Sequence, residues 1–119
     1  SSLTEGSIIS DGCVVNDGAK IVDSVIGPCT VIAKNVELDG AVIVGRDEIM
    51  KRTQAEQDIG EGTVIRRCIV DSDAVIGANV RILNEAGVQN IDRSEDGYVI
   101  SDGIVTILGG ATIPDGFII

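Results

Sequence analysis

The sequence predicts an all-β protein built as a parallel β-helix, in which short strands wind into stacked coils. β-Branched residues dominate, with 19 Ile and 15 Val against 4 Leu, and branched side chains pack well on a pleated surface. Aromatic residues are almost absent, with one Phe, one Tyr and no Trp, so the aliphatic residues need a narrow and regular interior. The third observation is a repeat of about six residues.

Each repeat block opens with an aliphatic residue, continues with a polar or glycine pair and then has a small residue. Residues 9–14 and 15–20 are the first two blocks, residues 59–64 restart the pattern, and residues 107–112 and 113–118 close it. About eleven blocks share one register, which is the signature of a hexapeptide β-helix. Three blocks make a coil of about 18 residues, and coils stack at an interstrand spacing of roughly 4.8 Å.

The composition of the block follows from the narrow prism that the coils enclose. The opening aliphatic residue is predicted to point inward, above and below its equivalents in the neighbouring coils. Gly, Asn and Asp are predicted at the corners, where they adopt left-handed backbone angles at little cost. The second inward position must be small, and the residues predicted there are Cys13, Ala19, Thr30, Thr63 and Ala74.

Two stretches leave the repeat. Residues 45–58 are polar and predict a short helix with Asp47 as N-cap and Glu48 and Arg52 paired one turn apart. Residues 83–99 predict a loop that contains Gly87 and Gly97, because glycine commonly marks turns and loops. The remaining residues suffice for about five coils, which exceeds the roughly three repeats that such an array needs.

Composition also excludes several classes of function. The net charge is −10, so binding to nucleic acid or to an anionic membrane is not expected, because both require Lys and Arg. The chain has no His, the usual general base and metal ligand. Three cysteines without a CxxC motif favour reduced thiols in the cytoplasm. A single domain over residues 1–119 that starts at Ser rather than Met is predicted to be a processed or excised part of a larger protein.

Arg66 and Arg81 are the main candidates for a binding site. Arg66 follows the inward Ile65, and Arg81 precedes Ile82 one coil further. The two side chains are therefore predicted near one corner on adjacent coils, with Arg67 close by. Clustered guanidinium groups suit a phosphate or carboxylate ligand, although solvated surface charge is the simpler interpretation.

A second basic patch and a pair of carboxylates have plainer interpretations. Arg46, Lys51 and Arg52 would form a basic patch in the first excursion, but a solvated helix face explains them as well. Asp71 and Asp73 are predicted to serve a corner rather than acid–base catalysis, because alternate residues of a strand point in different directions.

The cysteines and the two aromatic residues are predicted to pack. Cys13, Cys29 and Cys68 lie at or beside small positions of the repeat, where a thiol behaves as a small hydrophobe. Phe117 lies near the chain end, and its ring is predicted to cover the open last coil rather than to stack on a ligand, as terminal repeats require a cap. Tyr98 is the other aromatic residue.

Several segments match a more specific pattern than the generic repeat. They are residues 7–13, 24–27, 59–71, 74–82, the Gly87-Val88-Gln89 loop, 97–107, 111–116 and the final Ile118-Ile119. With these segments the sequence resembles the C-terminal domain of ADP-glucose pyrophosphorylase (glucose-1-phosphate adenylyltransferase). The resemblance covers nearly all of the chain, and the placement of the two excursions together with the Gly-Val-Gln loop makes it specific. It implies a left-handed β-helix, an exception to the usual right-handed crossover.

The resemblance implies a parent enzyme that makes ADP-glucose and pyrophosphate from ATP and glucose 1-phosphate, for glycogen or starch. In that family catalysis and Mg²⁺ belong to an N-terminal nucleotidyltransferase domain, so this domain is expected to bind no cofactor and to be non-catalytic alone. Its expected partners are its own catalytic domain, other subunits of a homo-tetramer and a phosphorylated small-molecule effector. Nucleic acid and membranes are not expected partners, and the expected location is cytoplasmic.

Two departures from the family pattern concern the effector. Enzymes of this family that are activated by 3-phosphoglycerate carry lysines at the positions of Ser72 and Gly109. Residues 45–58 are also shorter than in plant forms. The resemblance therefore implies a bacterial origin and a different effector control.

Three other functions share the repeat. A different sugar-nucleotide pyrophosphorylase would have the same architecture with another sugar. A hexapeptide acyltransferase would need a His base, which another subunit would have to supply. A stand-alone structural or ice-binding array would need Thr at coil spacing on one face, and the threonines of this chain do not recur in that way.

Overall fold

A computed structural model describes residues 3–45 and 57–119 and winds them into a three-sided parallel β-helix. Within the described residues most strands are two or three residues long, because a corner follows each short side. In chain order the strands are β1 Leu3–Glu5, β2 Ile8–Ile9, β3 Val14–Val15, β4 Lys20–Val22, β5 Val25–Ile26, β6 Val31–Ile32, β7 Glu37–Asp39, β8 Val42–Ile43, β9 Val64–Arg66, β10 Cys68–Val70, β11 Val75–Ile76, β12 Arg81–Ile82, β13 Asn90–Arg93, β14 Tyr98–Ser101, β15 Ile104–Ile107 and β16 Thr112–Ile113.

Strands of successive coils pair in parallel and form the three faces. Sheet A has the order β1-β4-β7-β9-β12, and sheet B runs from β2 through β5, β8 and β10 to β15. Sheet C consists of β3-β6 and β11-β16, which isolated bridges from Ile59 to Ile32 and Ile76 join. The predicted parallel β-helix of about five coils is confirmed. No helix in the described ranges is long and apolar enough to span a membrane.

The coil repeat is slightly shorter than predicted. Leu3 pairs with Lys20, and Val64 pairs with Arg81, each seventeen residues further along the chain. One of the three blocks in these coils has five residues rather than six, as in residues 21–25. The shorter block therefore sets the register that brings outward side chains together.

Inward aliphatic residues stack in columns, as the repeat predicts. In sheet A the register places Ile21, Leu38, Ile65 and Ile82 above one another, and each is at most 1% exposed. Ile9, the inward residue of sheet B in the first coil, is an exception to this burial. It is 38% exposed, because no described coil lies on its outer side. The columns of the other two sheets contain Ile26, Ile43, Val70 and Ile107, and Ile32, Ile59, Ile76 and Ile113.

The small inward residues include hydroxyl groups that find partners inside the prism. Thr30 and Thr63 are fully buried. The Thr30 Oγ1 donates to the Gly27 carbonyl at 2.9 Å, and the Thr63 Oγ1 donates to the Gly77 carbonyl at 2.7 Å. A buried hydroxyl is tolerated when it is hydrogen-bonded, so threonine is compatible with this position.

The corners stack through complementary residue pairs. Gly62 and Asn79 lie at equivalent corners of adjacent coils, with φ of 76° and 56°. A Cβ on Gly62 would lie 2.5 Å from the Asn79 Oδ1, so the glycine makes room for the amide of the next coil. Two further corners repeat this arrangement, Gly6 with Asp23 and Gly18 with Asn35. The predicted use of Gly, Asn and Asp at corners is confirmed.

The prediction of a loop over residues 83–99 is confirmed for residues 83–89, and it was wrong for residues 90–99. β13 pairs antiparallel with β14, and β14 pairs antiparallel with β15, so this segment extends sheet B. A 3-10 turn, Ser94–Asp96, joins β13 to β14 and ends at Gly97. Ile100 is buried, and Ile91 and Tyr98 pack against the core, so these three side chains stabilise the two strands despite the charged residues of β13.

The predicted features of the first excursion lie outside the described residues. This applies to the Asp47 N-cap, to the Glu48–Arg52 pair and to the basic patch of Arg46, Lys51 and Arg52. The end of the excursion is described. Asp58 is 5% exposed, and its Oδ2 accepts a hydrogen bond from the Val31 N–H at 2.7 Å. This carboxylate, which the sequence analysis did not single out, fastens the returning chain to sheet C.

Candidate functional site

The register of sheet A brings Arg66 and Arg81 onto one outer face. Arg66 ends β9 and Arg81 begins β12, and the buried Ile65 and Ile82 pair between them. Both arginines are exposed, and strand geometry places their Cα atoms about 8 Å apart on a diagonal. They therefore share a face on adjacent coils, as predicted, but they lie at opposite ends of their strands rather than at one corner.

Arg67 occupies the corner between β9 and β10. Its φ is 49°, a left-handed conformation that is unusual for a long side chain. Its N–H donates to the Asp39 carbonyl at 3.0 Å. The corner turns the chain from sheet A to sheet B, so Arg67 lies at the edge of the face that carries Arg66.

Carboxylates share this face with the arginines. Asp39 is in register with Arg66, and the Lys20 Nζ lies 3.8 Å from the Glu37 Oε1 one strand away. Exposed pairs of this kind contribute at most about 1 kcal/mol. An anion at Arg66 would therefore have to compete with Asp39.

Arg81 has different neighbours. It is in register with Val64 of β9, and an isolated bridge pairs it with Ile118 on its other side. Within residues 57–119, aliphatic side chains therefore flank Arg81 on both strands. Arg81 therefore differs from Arg66, which has the carboxylate of Asp39 in register with it.

One surface depression contains Arg66, and a larger one contains none of the three predicted arginines. A shallow groove of about 160 Å³ crosses β4, β7 and β9 and contains Arg66 together with Lys20, Glu37 and Asp39. A larger cavity of about 550 Å³ lies between the 3-10 turn Ser94–Asp96 and the turn at residues 108–112. None of the three predicted arginines lines the larger cavity, and its charged lining residues are Glu95 and Asp96.

The two positions that depart from the resembled family lie side by side. The Gly110 N–H donates to the Ser72 carbonyl at 3.0 Å, across adjacent coils. A Cβ on Gly109 would lie 3.3 Å from the same carbonyl oxygen. The Asp71 Oδ1 accepts from the Ser72 N–H at 2.7 Å, and Asp73 has a φ of 60°. The corner role predicted for Asp71 and Asp73 is confirmed.

Cys13, Cys29 and Cys68 are not joined to one another by disulfide bonds. Cys68 is 1% exposed, and burial raises the pKa of its thiol to about 12, which makes it a packing residue rather than a nucleophile. Cys13 and Cys29 are half-buried, and the Cys13 Sγ donates to the Gly27 carbonyl at 3.1 Å. The prediction of core packing is confirmed for Cys68.

Phe117 packs against the core, as predicted. Its ring lies edge-on to Tyr98, with centroids 6.1 Å apart and planes at 71°. Such an edge-to-face pair is favourable beyond its buried area. The two aromatic residues thus pack together beside the last coil, and the partner role of Tyr98 was not predicted from the sequence.

Comparison with known proteins identifies the family. The family model described as the GLGC left-handed parallel beta-helix domain matches residues 1–118. The chain belongs to this family. The match confirms the left-handed β-helix that the resemblance implied, and it covers all five strands of sheet A.

Two relatives of the GLGC β-helix domain described here are plant proteins. The chain is 41% identical to the glucose-1-phosphate adenylyltransferase large subunit 1, chloroplastic/amyloplastic, of Zea mays, over 95% of this chain and 23% of the relative. It is 42% identical to the inactive glucose-1-phosphate adenylyltransferase small subunit 2, chloroplastic, of Arabidopsis thaliana, over 99% of this chain and 27% of the relative. The chain therefore spans about a quarter of the length of these relatives.

Proposed function

We propose that the chain is the β-helix part of a glucose-1-phosphate adenylyltransferase subunit and serves subunit assembly and regulation. The observation that carries the proposal is the family match over residues 1–118 together with about 41% identity to subunits of that enzyme. The fold supports it, because the interior is filled by stacked aliphatic columns and the three outer faces offer surfaces for contact.

Catalysis is assigned to another part of the polypeptide. The parent enzyme would form ADP-glucose and pyrophosphate from ATP and glucose 1-phosphate, with Mg²⁺, for glycogen or starch synthesis. The relatives support this division, since one of them is named as an inactive subunit while it remains 42% identical to this chain. A sequence of this kind is therefore compatible with a subunit that does no chemistry.

A direct assay tests the division. The purified chain is incubated with ATP, glucose 1-phosphate and Mg²⁺, and ADP-glucose is measured, with the maize enzyme as the positive control. We expect no ADP-glucose above background from the chain alone. Turnover by the chain would contradict the assignment of catalysis to another domain.

Other subunits are the proposed partners. The two relatives are named as large and small subunits, which supports assembly with further copies or with related chains, and we propose a homo-tetramer for the parent. We propose a cytoplasmic location, because the sequence has three cysteines and no CxxC motif, a pattern that favours reduced thiols in a reducing compartment. Cell fractionation with an antibody against the chain tests the location, and recovery in a plastid fraction would contradict it.

Arg66, Arg67 and Arg81 are the proposed contacts for a phosphorylated effector. Arg66 and Arg81 support the proposal by sharing one outer face, and the strand neighbours of Arg81 are aliphatic. Guanidinium groups bind phosphate oxygens in a bidentate manner. Asp39 beside Arg66 is expected to weaken the binding of anions.

Calorimetric titration with pyrophosphate tests this site. The double variant Arg66→Gln/Arg81→Gln is expected to lose at least tenfold in affinity, and Asp39→Asn is expected to gain affinity. Arg93→Gln is the matched control, because Arg93 is exposed on β13 and outside the site. An equal loss in the Arg93→Gln variant would show that binding is non-specific.

A further inference from the structure

The outer face of sheet B carries an uninterrupted row of aliphatic side chains. Ile8, Val25, Val42 and Ile69 are in register on four successive coils, and we call them the aliphatic row. Their exposed fractions are 66%, 41%, 40% and 37%. At roughly 4.8 Å per coil, the row is about 14 Å long. Two further exposed aliphatic residues extend the same face, Val44 and Ile104.

The fold does not require aliphatic residues at these positions. In sheet A the equivalent outward residues on four successive coils are Lys20, Glu37, Val64 and Arg81. Three of these four residues are charged. Threonine would satisfy the strand preference as well as valine does. An exposed, contiguous apolar surface on a folded protein marks an interaction site more often than isolated exposed residues do.

Carboxylates line both sides of the aliphatic row. Asp23 lies at the corner that leads from sheet A into sheet B, and Asp102 lies in the turn between β14 and β15 of sheet B. Asp11 and Asp73 lie at the corners that lead from sheet B to sheet C. All four are exposed. Among the described residues at these turns Arg67 is the cation, so the described part of the margin is acidic overall.

The acidic margin decides which partner fits the row. A second copy of this chain would place Asp23 and Asp102 against an equally acidic margin, and each copy carries a net charge of −10. Like charges that face each other across an interface oppose association. A partner with Lys or Arg around an aliphatic centre satisfies both the row and its margin.

We propose that the aliphatic row of sheet B binds a separate polypeptide whose contact surface is aliphatic at its centre and basic at its margin. The row supplies the apolar core of the interface, and the carboxylates of the margin supply its charged rim. Rim charges of opposite sign accelerate association and select the partner. This surface meets the arginine site of sheet A at Arg67, which lies at the corner between the two sheets. The proposal does not depend on the function proposed for the chain.

Binding of synthetic peptides tests the proposal on the chain itself. The probe is an amphipathic peptide of Leu and Lys, and the comparison peptide has Glu in place of every Lys. Affinity is measured by fluorescence anisotropy at two salt concentrations. We expect the Leu/Lys peptide to bind at least tenfold more tightly than the Leu/Glu peptide, with an affinity that falls as salt increases.

Variants separate the row from non-specific attraction to an acidic protein. Val25→Thr/Val42→Thr/Ile69→Thr keeps β-branched side chains on the strands and is expected to lower the affinity at least tenfold. Val22→Thr/Val64→Thr on sheet A is the matched control and is expected to stay within twofold of the unmodified chain. Circular dichroism and urea unfolding confirm that each variant folds.

A rim variant tests the charge separately. Asp23→Asn/Asp102→Asn suits the left-handed φ of 48° at the Asp23 corner and 51° in the β14–β15 turn, because Asn tolerates that region. It is expected to bind more weakly and with a smaller salt dependence. Failure of the Leu/Lys peptide to bind, or equal binding by the row variant, would overturn the proposal. Sedimentation of the chain as a dimer that the row variant dissociates would assign the row to a second copy instead and would also overturn it.

Discussion

Replacing Gly60 by Ala tests the stacking of coils most sharply. Gly60 is buried and follows Ile59 at the corner of sheet C. Its φ is not in the positive range, so alanine meets no backbone penalty at this position. An added Cβ would lie 2.5 Å from the Ala78 nitrogen and 2.6 Å from the Gly77 oxygen. Both are backbone atoms of the next coil, and a rotamer change cannot move them away.

The expected cost follows from these distances. Ordinary van der Waals contact begins near 3.4 Å, so the two coils must separate locally by roughly 1 Å. The hydrogen bond from the Gly60 N–H to the Ile76 carbonyl, 2.8 Å long, would then exceed hydrogen-bond distance. A lost bond and overpacking together amount to about 3 kcal/mol. That is a large part of the total of about 5–15 kcal/mol that is usual for a domain.

Gly110→Ala is the matched control. Gly110 has a φ of 73°, and no heavy atom lies within 4 Å of a Cβ built on it. It carries only the left-handed backbone penalty of about 1–2 kcal/mol. Urea unfolding followed by far-UV circular dichroism measures the free energy of unfolding of both variants. A Gly60→Ala variant as stable as Gly110→Ala would refute the close stacking of the coils at this corner.

Three further predictions concern single side chains. Burial raises the pKa of the Cys68 thiol from 9.0 to about 12, so the unfolded state loses this proton first as pH rises. The stability contribution is complete below about pH 9 and is lost between about pH 9 and 12, at about 1.4 kcal/mol per pH unit; a Cys68→Ala variant should lack this slope in urea unfolding. Asn84→Ala removes side-chain bonds to both the N–H and the carbonyl of Val88; it should cost about 2 kcal/mol and accelerate hydrogen exchange at the Val88 amide, whereas unchanged exchange would contradict the role. Asp58→Ala leaves the Val31 N–H without its carboxylate and should cost about 1–3 kcal/mol, while Asp58→Asn, which keeps an acceptor oxygen, should cost less in the same unfolding assay.

The periodic part of the fold could be predicted from the sequence, because burial follows the repeat directly. Ile21, Ile65 and Ile82 are buried for the same reason that each opens a block. The strands β13 and β14 could not be predicted in this way. β13 has charged residues at two of its four positions, and neither strand alternates between buried and exposed residues. Their pairing with β15 depends on tertiary contact.

The candidate site could be predicted only in part. The shared face of Arg66 and Arg81 follows from counting residues between their inward neighbours. Asp39 is in register with Arg66, but the first excursion lies between them in the sequence. Their register therefore could not be obtained by counting repeat blocks. The pairing of Gly62 with Asn79 likewise needs the seventeen-residue register, which a six-residue block alone does not supply.

The central claim is that this chain is a GLGC β-helix domain that serves assembly and regulation of an adenylyltransferase. The most direct measurement replaces the matched segment of the maize large subunit 1 by this chain and determines the native mass of the hybrid and its synthesis of ADP-glucose with its partner subunit. The account predicts that the hybrid assembles to the same mass and retains synthesis, with a changed response to phosphorylated effectors. A hybrid that folds but fails to assemble, while the unmodified maize subunit assembles beside it, would contradict the assembly role.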